Sequence, residues 1–588
     1  MTYETRANME SFHGRVLLVD VGQSSMREER IDDTVFHEFL GGKGLGSHLL
    51  LSHTQSGFEP YSPDSVIIFA TGPVTDTRVF GSSRYGVFCK SPLTGLYCES
   101  YAGGSVAEPL SRTGYDAVVV SGVSASPVYL EVSSGGVEFY DASHLWGKET
   151  YETEDIIRKE VSRKDVGIVV IGPAGENLVR FAVIENDYWR SAGRTGAGAV
   201  LGSKKVKALI FHGEKRRMVA KPAVLEDVWK ETGQKAKTDP AIMNYRRLGT
   251  PMLVATTNES GAFPTRYWSR GTFENWRNIS APALLEQCRV KPKACPKCPL
   301  ACGNLTELVD GRHKGLRIEG PEYETIYAFG GLCLIDDIRE IAYLNDLCDR
   351  LGIDTITAGN LAAFAIEASR RRVISERIDY GDVDSIAELL RQIVQRKGIG
   401  ATLAEGIRHA SREWRLEDLA VHVKGLEPAG YDPRVLKGMG LAYATSDRGA
   451  CHLRATVYKA ELSGMIAPDQ IEGKAEVLID FEDRHTLFDS LILCRFFRDL
   501  YPWDMLSLII EGTTGRRLDK EQLSRIAANV TNEVRQFNLR EGMSAADDTL
   551  PKRFFEEPLE DSGKVLAKSD FDRMLSDYYR LRGWPQIG

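Results

Sequence analysis

The chain has 588 residues, 43% hydrophobic and 27% charged, with a formal net charge of −8. That is a globular balance with material for two to four cores, and the lack of any Lys/Arg-rich stripe excludes a nucleic-acid backbone as partner. No apolar run reaches the roughly 18–20 residues of a membrane span, and ten cysteines are too few for a disulfide scaffold.

The N-terminal stretch MTYETRANMESFHGR has neither an apolar core nor a twin arginine, so no export signal is expected. A reducing, cytoplasmic setting follows, in which clustered cysteines serve metal or redox chemistry. The first third then reads as β. GRVLLVDVG, SVIIFATGP, YDAVVVSGV, SPVYLEV, VGIVVIGP and KALIFHG are short β-branched runs bounded by turn residues. Between them lies FLGGKGLGS, glycine-dense but without the G-x-G-x-x-G spacing of a dinucleotide site. Residues 71–104 read as a long loop-rich stretch carrying Arg78, Arg84 and Lys90 among small residues, and residues 190–205 repeat that texture with Arg190 and Arg194. Small residues with a few cations suit a bulky phosphorylated ligand approached by backbone, although a β-meander with turns reads the same way.

From about Pro222 helical periodicity takes over in DIREIAYLNDLCDRLG, TITAGNLAAFAIEASRRR and VDSIAELLRQIVQRKG. A turn-rich break falls at KGLEPAGYDPR, residues 424–434, and helical pattern resumes through FEDRHTLFDSLILCRFFRDL and KEQLSRIAANVTNEVRQFNL. The predicted class is α+β: a β-rich N-terminal domain over residues 1–215, then two mainly helical domains over 216–425 and 426–588. No low-complexity segment or fixed-period repeat is evident.

KACPKCPLACGN, residues 293–304, places Cys295, Cys298 and Cys302 at C-x2-C-x3-C spacing. Thiolates are soft ligands, and this spacing on an irregular loop lets three sulfurs converge. An iron–sulfur cluster is preferred over a structural zinc. The fourth ligand is open among Cys89, Cys98, Cys288, Cys333, Cys348, Cys451 and Cys494, since lone buried cysteines are usually small core residues. Further on, EGPEYET gathers Glu319, Glu322 and Glu324, by default a solvated turn. SDRGACHLRA isolates His452 between Arg448 and Arg454, and Glu482 with His485 forms an E-x-x-H pair that needs no metal.

Taken in order, FLGGKGLG, TGPVTD with KSPLTG, RSAGRTGAGAVLGSKKVKA, CPKCPLAC, GPEYET, DRLGIDT, GYDPR, TSDRGACHLRA and DSLILC resemble the aldehyde:ferredoxin oxidoreductase family of tungsten (or molybdenum) pterin enzymes. The resemblance runs from GRVLLVDVG to about residue 545. It implies a β-rich base on which two pterins lie, both helical domains covering them, and one metal held by the pterin sulfurs rather than by protein. It implies pterin anchoring by Asp349, Ile353 and Asp354 in one helical domain and by Asp489 and Leu493 in the other. Each Asp is expected to act as a hydrogen-bond acceptor toward pterin N–H groups. The second anchoring segment has Ile492 where the family has Gly.

The same resemblance assigns Cys494 as the fourth ligand of one [4Fe–4S] cluster with Cys295, Cys298 and Cys302. It places Arg84 between cluster and pterin, and Gly103, Arg190 and Ser191 around the pterin phosphates. Tyr101 stands where the family's Asn helps hold a bridging Mg²⁺, so Mg²⁺ is expected to rest on backbone and water. The implied reaction is oxidation of an aldehyde to a carboxylic acid with water. His452 would polarise the carbonyl and Glu324 handle the proton, with Glu322 in reserve and Tyr431 as a second donor. Electrons would leave through the cluster to ferredoxin, or to a ferredoxin-like iron–sulfur subunit with a flavin subunit beyond it, and an oligomer is expected. The alternatives are a catalytic subunit of an aromatic acyl-CoA reductase and a zinc-stabilised scaffold.

Overall fold

Six strands lie where the β-branched runs predict them, and six more lie between. The structure, a computed structural model, describes residues 10–585. The first sheet contains β1 (Arg15–Asp20), β2 (Ser25–Arg30), β3 (Ile67–Ala70), β4 (Tyr85–Lys90), β5 (Tyr97–Ala102) and β6 (Ala117–Ser121), in the order β2-β1-β6-β3-β4-β5. The second contains β7 (Val128–Ser133), β8 (Gly136–Asp141), β9 (Gly167–Val170), β10 (Ile184–Asn186), β11 (Arg190–Ala192) and β12 (Val206–Phe211). From its far edge its order is β8-β7-β12-β9-β10-β11.

Side chains alternate faces along a strand. In β6, Val118 and Val120 point into a shared core with Leu130, Val132 and Leu209 of the second sheet. Ala117 and Val119 point the other way, against Leu45, Leu49 and Phe537 from the helices Gly42–Ser52 and Lys520–Arg540. The glycine-dense FLGGKGLGS thus opens a helix packed on the sheet. The outer face of the second sheet is closed by the helix Thr150–Glu160 through Ile157, packed on Ile168 and Ile210. Burying each such aliphatic side chain contributes roughly 1.5–3 kcal/mol.

The two sheets are copies of one topology. In each, a hairpin (β1–β2, β7–β8) is followed by one parallel pairing (β1–β6, β7–β12), and every other contact is antiparallel. No sequence repeat betrays this. Two residues beyond the third strand of each copy lies a Gly-Pro, Gly72-Pro73 and Gly172-Pro173, and each glycine touches the end of a helix from the second half of the chain. A Cβ on Gly72 would lie 2.1 Å from the carbonyl oxygen of Leu491, and one on Gly172 would lie 2.4 Å from that of Leu351. The helices are Lys474–Leu491 and Ile338–Leu351, and both end in a left-handed residue, Ile492 at φ 59° and Gly352 at φ 78°. Leu493 N–H bonds Phe488 C=O at 2.7 Å and Ile353 N–H bonds Cys348 C=O at 3.0 Å, the same closing turn twice. A β-branched residue is strained in that conformation. Gly72→Ala and Gly172→Ala are each expected to destabilise the fold by about 1–3 kcal/mol through overpacking, read as a lowered thermal midpoint. Gly135→Ala, whose Cβ meets nothing closer than 3.6 Å, should leave the midpoint unchanged in the same scans.

The remaining chain is mainly helical. One buried cluster, which also takes in Leu93, Val179 and Phe181 of the N-terminal region, extends to Tyr579 and packs Thr355–Arg370, Val383–Gln395 and Lys568–Arg582 together across position 425. A second joins Pro222–Thr238, Trp503–Thr514 and Lys474–Leu491 through Leu225, Ile509 and Phe488. A small sheet of β13 (Cys288–Lys293), β14 (Gly303–Leu308) and β15 (Arg317–Glu319) interrupts the helices. Among the described residues no helix is long and apolar enough to cross a membrane.

Two sequence expectations are corrected. Residues 71–104 hold β4 and β5 rather than only loop. Every residue of β4 is buried, so no alternation marks it, and β5 carries the fully buried Glu99, which disguises it as polar turn. Glu319, Glu322 and Glu324 form no solvated turn, because none is exposed.

Candidate functional site

The three clustered cysteines sit on the hairpin between β13 and β14, whose pairing closes at Lys293 and Gly303. Cys298 N–H bonds the carbonyl of Cys295 at 3.1 Å, and Leu300 anchors the loop in the helical core. Facing them is Cys494, which follows the left-handed turn at Ile492 and is held by an N–H bond to Gly81 C=O at 2.9 Å. Burial pushes the Cys298 thiol up to about 12, with Cys494 and Cys295 adding like charge. Burial raises Cys302 too, with Cys494 again its strongest charged neighbour. Thiols held like Cys298 and Cys302 ionise only if something positive sits among them. Among the described residues no group of three or more His, Cys, Asp or Glu side chains is placed to hold a metal ion. Of the other cysteines, Cys89 and Cys98 face each other across β4 and β5, while Cys288, Cys333 and Cys348 are core residues.

Arg84 reaches toward this group: Nη1 lies 3.9 Å from Cys494 Sγ, and Nη2 donates to Tyr101 C=O at 2.7 Å. A Cβ on Gly103 would lie 3.0 Å from Cys295 Sγ and 3.8 and 3.9 Å from Arg84 and Arg190 Nη1. Only glycine lets the strand pass that closely. Beside the thiols lie two adjoining cavities. The larger, of about 370 Å³, is lined by Arg84, Tyr101, Ser191, Glu322, Glu324, Tyr431, His452, Asp489, Leu493 and Cys494. The smaller, of about 280 Å³, is lined by Gly103, Arg190, Cys302, Asp349, Ile353 and Asp354, and shares Arg84, Tyr101, Ser191, Glu322 and Glu324 with the first. The structure therefore brings the sequence-predicted residues together. Cys295 and Cys298 line neither cavity and lie behind the Gly103 strand.

Within the larger cavity Glu324 is buried, and burial lifts its carboxyl to about 8 against a hydrogen bond from Gly430 N–H at 3.0 Å. Its Oε1 has no hydrogen-bond partner and lies 3.4 Å from His452 Nε2. Burial drives the His452 imidazole well below its usual range, reinforced by Arg194 and Arg448. The two groups are therefore neutral together at pH 7 and are not an ion pair, and His452 Nδ1 has no partner at all. Tyr431 stacks on Tyr458 at 4.0 Å and lies 5.8 Å from the His452 ring. Glu322 is engaged differently, accepting from the Thr250 hydroxyl.

Two of the three predicted anchoring aspartates, Asp349 and Asp489, differ. Asp349 accepts from Asn345 Nδ2 at 2.7 Å, and burial with Glu185 nearby raises its carboxyl well above the usual range. Burial thus works against the ionised, acceptor-only form expected of it. Burial also opposes ionisation of Asp489, but Arg495 and Arg454 outweigh it and hold this carboxyl below its usual range. Asp354 caps the helix Thr355–Arg370. Ser191 Oγ donates to Glu185, and Arg190 pairs with Glu319. The Tyr101 hydroxyl donates to Glu99 Oε2 at 2.6 Å, and its ring lies 5.6 and 5.9 Å from the guanidinium carbons of Arg454 and Arg495.

Sequence reasoning missed Arg448, Arg454 and Arg495. Each lines the larger cavity, and buried donors on them (Arg448 Nε, Arg454 Nε and Nη2, Arg495 Nη1) have no partner. Buried donors are nearly always satisfied, so this cavity is built for a ligand rich in acceptors. Arg448 and Arg454 flank His452 in the sequence, and that flanking was the available signal. Glu482 and His485 do not hold a metal: Glu482 pairs with Arg582 and Tyr578.

Residues 16–213 match the family model described as the N-terminal domain of aldehyde ferredoxin oxidoreductase, and residues 227–588 match the model for its domains 2 and 3. The tungsten-containing aldehyde ferredoxin oxidoreductase of Pyrococcus furiosus is 36% identical, the alignment covering 98% of this chain and 96% of that one. The WOR-like subunit of aliphatic sulfonate oxidoreductase from the same organism is 28% identical over 99% of this chain and 96% of its own length. Among solved structures, the active-site complex of benzoyl coenzyme A reductase with 1,5-dienoyl-CoA superimposes with a TM-score of 0.86 at 25% identity, covering 98% of this chain and 95% of that one.

Proposed function

The chain belongs to the aldehyde ferredoxin oxidoreductase family, and from that premise we propose that it oxidises aldehydes to carboxylic acids with water. The observation that carries the reading is the neutral His452–Glu324 pair, facing a cavity that adjoins four thiols. The family implies a tungsten–pterin cofactor, and the donor set fits one: the unpartnered guanidinium donors of Arg448, Arg454 and Arg495 suit its many acceptors, with Asp349, Ile353, Asp354, Asp489 and Leu493 beside them. Bound there, that cofactor supplies a two-electron acceptor. A [4Fe–4S] cluster on Cys295, Cys298, Cys302 and Cys494 would conduct the electrons out singly, toward ferredoxin or an iron–sulfur partner subunit. Mg²⁺ at the phosphates would rest on backbone and water, because the Tyr101 hydroxyl is committed to Glu99.

The chain's own residues do the following. Neutral His452 offers one N–H to the substrate carbonyl oxygen, with Nδ1 free of any protein partner. Glu324 takes the proton that water loses on adding to the carbonyl carbon, and the aldehydic hydrogen leaves as a second proton, released to solvent, and two electrons, to be accepted by the bound cofactor. The stacked pair Tyr431–Tyr458 walls the site against bulk water. Since burial raises the Glu324 carboxyl to about 8, its base form fills in only as pH rises through that value. Turnover should therefore climb with pH to a midpoint near 8. Glu324→Gln should remove that limb and lower kcat by about 10²–10⁴, measured as aldehyde-dependent viologen reduction over pH 6–10; an unchanged profile would exclude Glu324 as the base.

The second reading is reduction of an aromatic acyl-CoA, favoured by the likeness to the benzoyl coenzyme A reductase complex. Elemental analysis for tungsten and iron, followed by dye-linked assays with simple aldehydes against acyl-CoA substrates, separates the two.

A further inference from the structure

We propose that Arg498 makes this a site for aldehydes that carry an anionic group of their own, and that it is the specificity-determining residue for that class; this rests on the aldehyde-oxidising reading above. Arg498 lines the larger cavity and is 3% exposed. Its Nη1 donates to Arg495 C=O at 3.0 Å, the Tyr245 hydroxyl is a second partner, and Nε has none.

The other cations around the cavity either face a carboxylate or, as with Arg84 and Arg448, meet only carbonyl and thiol groups beside the cofactor and cluster positions proposed above. Arg454 and Arg495 share Asp489, Arg194 faces Asp354, and Arg448 reaches Glu99 C=O and Cys451. Among the described residues Arg498 forms no salt bridge, and Asp499, next to it, pairs with Lys459 and reaches Arg498 only as a nearby charge. A buried guanidinium left without a counter-charge is costly unless a ligand supplies one.

The surroundings fix what that ligand is. Arg498 sits at the aromatic end of the cavity, with Tyr245, Tyr458 and Phe496, and Tyr245 packs on Phe496 at 5.2 Å. Tyr458 stacks on Tyr431, which leads to His452 and Glu324. An aldehyde held by His452 would thus extend along apolar walls toward a guanidinium whose Nε has no protein partner. A carboxylate matches that donor better than any neutral polar group.

The test is a comparison of matched substrates on the cofactor-loaded enzyme: butanal against 4-oxobutanoate, and benzaldehyde against 4-formylbenzoate. Wild type should favour the anionic member of at least one pair by about 10- to 100-fold in kcat/KM. Arg498→Leu should erase that ratio while leaving the neutral member within about threefold, and Arg498→Lys should restore part of it. Wild-type preference for the neutral member of both pairs, or an Arg498→Leu variant that loses both members equally, overturns the proposal. If no aldehyde is turned over, the proposed activity fails separately. Calorimetric binding of 4-formylbenzoate then decides the anion site: binding by wild type that Arg498→Leu loses supports it, and no binding by wild type overturns it.

Discussion

Replacing His452 by alanine is expected to leave the folded protein, its metal and its iron content intact while lowering aldehyde turnover by about 10²–10³. The size follows from its position. A donor aimed at an oxygen that gains charge acts in a site from which water is excluded, and burial keeps this imidazole neutral with Nδ1 free of any protein partner. Truncation should leave Glu324 in place, since its Oε2 is held by Gly430 N–H rather than by the imidazole. The check is kcat with a viologen acceptor beside tungsten and iron analysis of the same sample. Full activity in that variant removes His452 from the mechanism, and loss of tungsten would assign it to cofactor retention instead.

Cys494→Ser is expected to lower iron from about four per chain and to cut dye-linked turnover to about one-hundredth or less. The structure gives this variant little other reason to fail. Cys494 is half-buried, and its N–H bond to Gly81 is made by the backbone and survives the change. Iron analysis with the electron paramagnetic resonance spectrum of the reduced protein measures it. An intact four-iron signal would reassign the fourth ligand and detach the cluster from the second helix end.

Much of this site was legible because its residues cannot be other residue types. Three cysteines on a short loop and a histidine between arginines declare chemistry wherever they fall in a fold. The strands that carry the platform were legible where one face is buried and β-branched residues recur, as in β6. They vanished where polar residues intrude: β5 contains the buried Glu99 beside Tyr101, β11 contains Arg190 and Ser191, and Tyr101, Arg190 and Ser191 turn to the cavities. The charge state of the aspartates was illegible for another reason. Asp349 and Asp489 occupy matching positions in matching motifs, and only three-dimensional neighbours, Glu185 for one and Arg454 with Arg495 for the other, drive them apart. The duplicated sheets left no trace because pairing order is a property of backbone, which many sequences satisfy.

That duplication bears on direction. Each Gly-Pro corner meets a helix end of the same shape, so the platform treats its left and right halves alike. The motif closed by Gly352 finishes at Asp354, and the one closed by Ile492 finishes at Cys494. One end stops at a carboxylate engaged with its own helix, while the other stops at a thiol facing three more. With Cys494 as the cluster ligand proposed above, a duplicated foundation would carry a one-way circuit, its polarity written in that last side chain of the second copy.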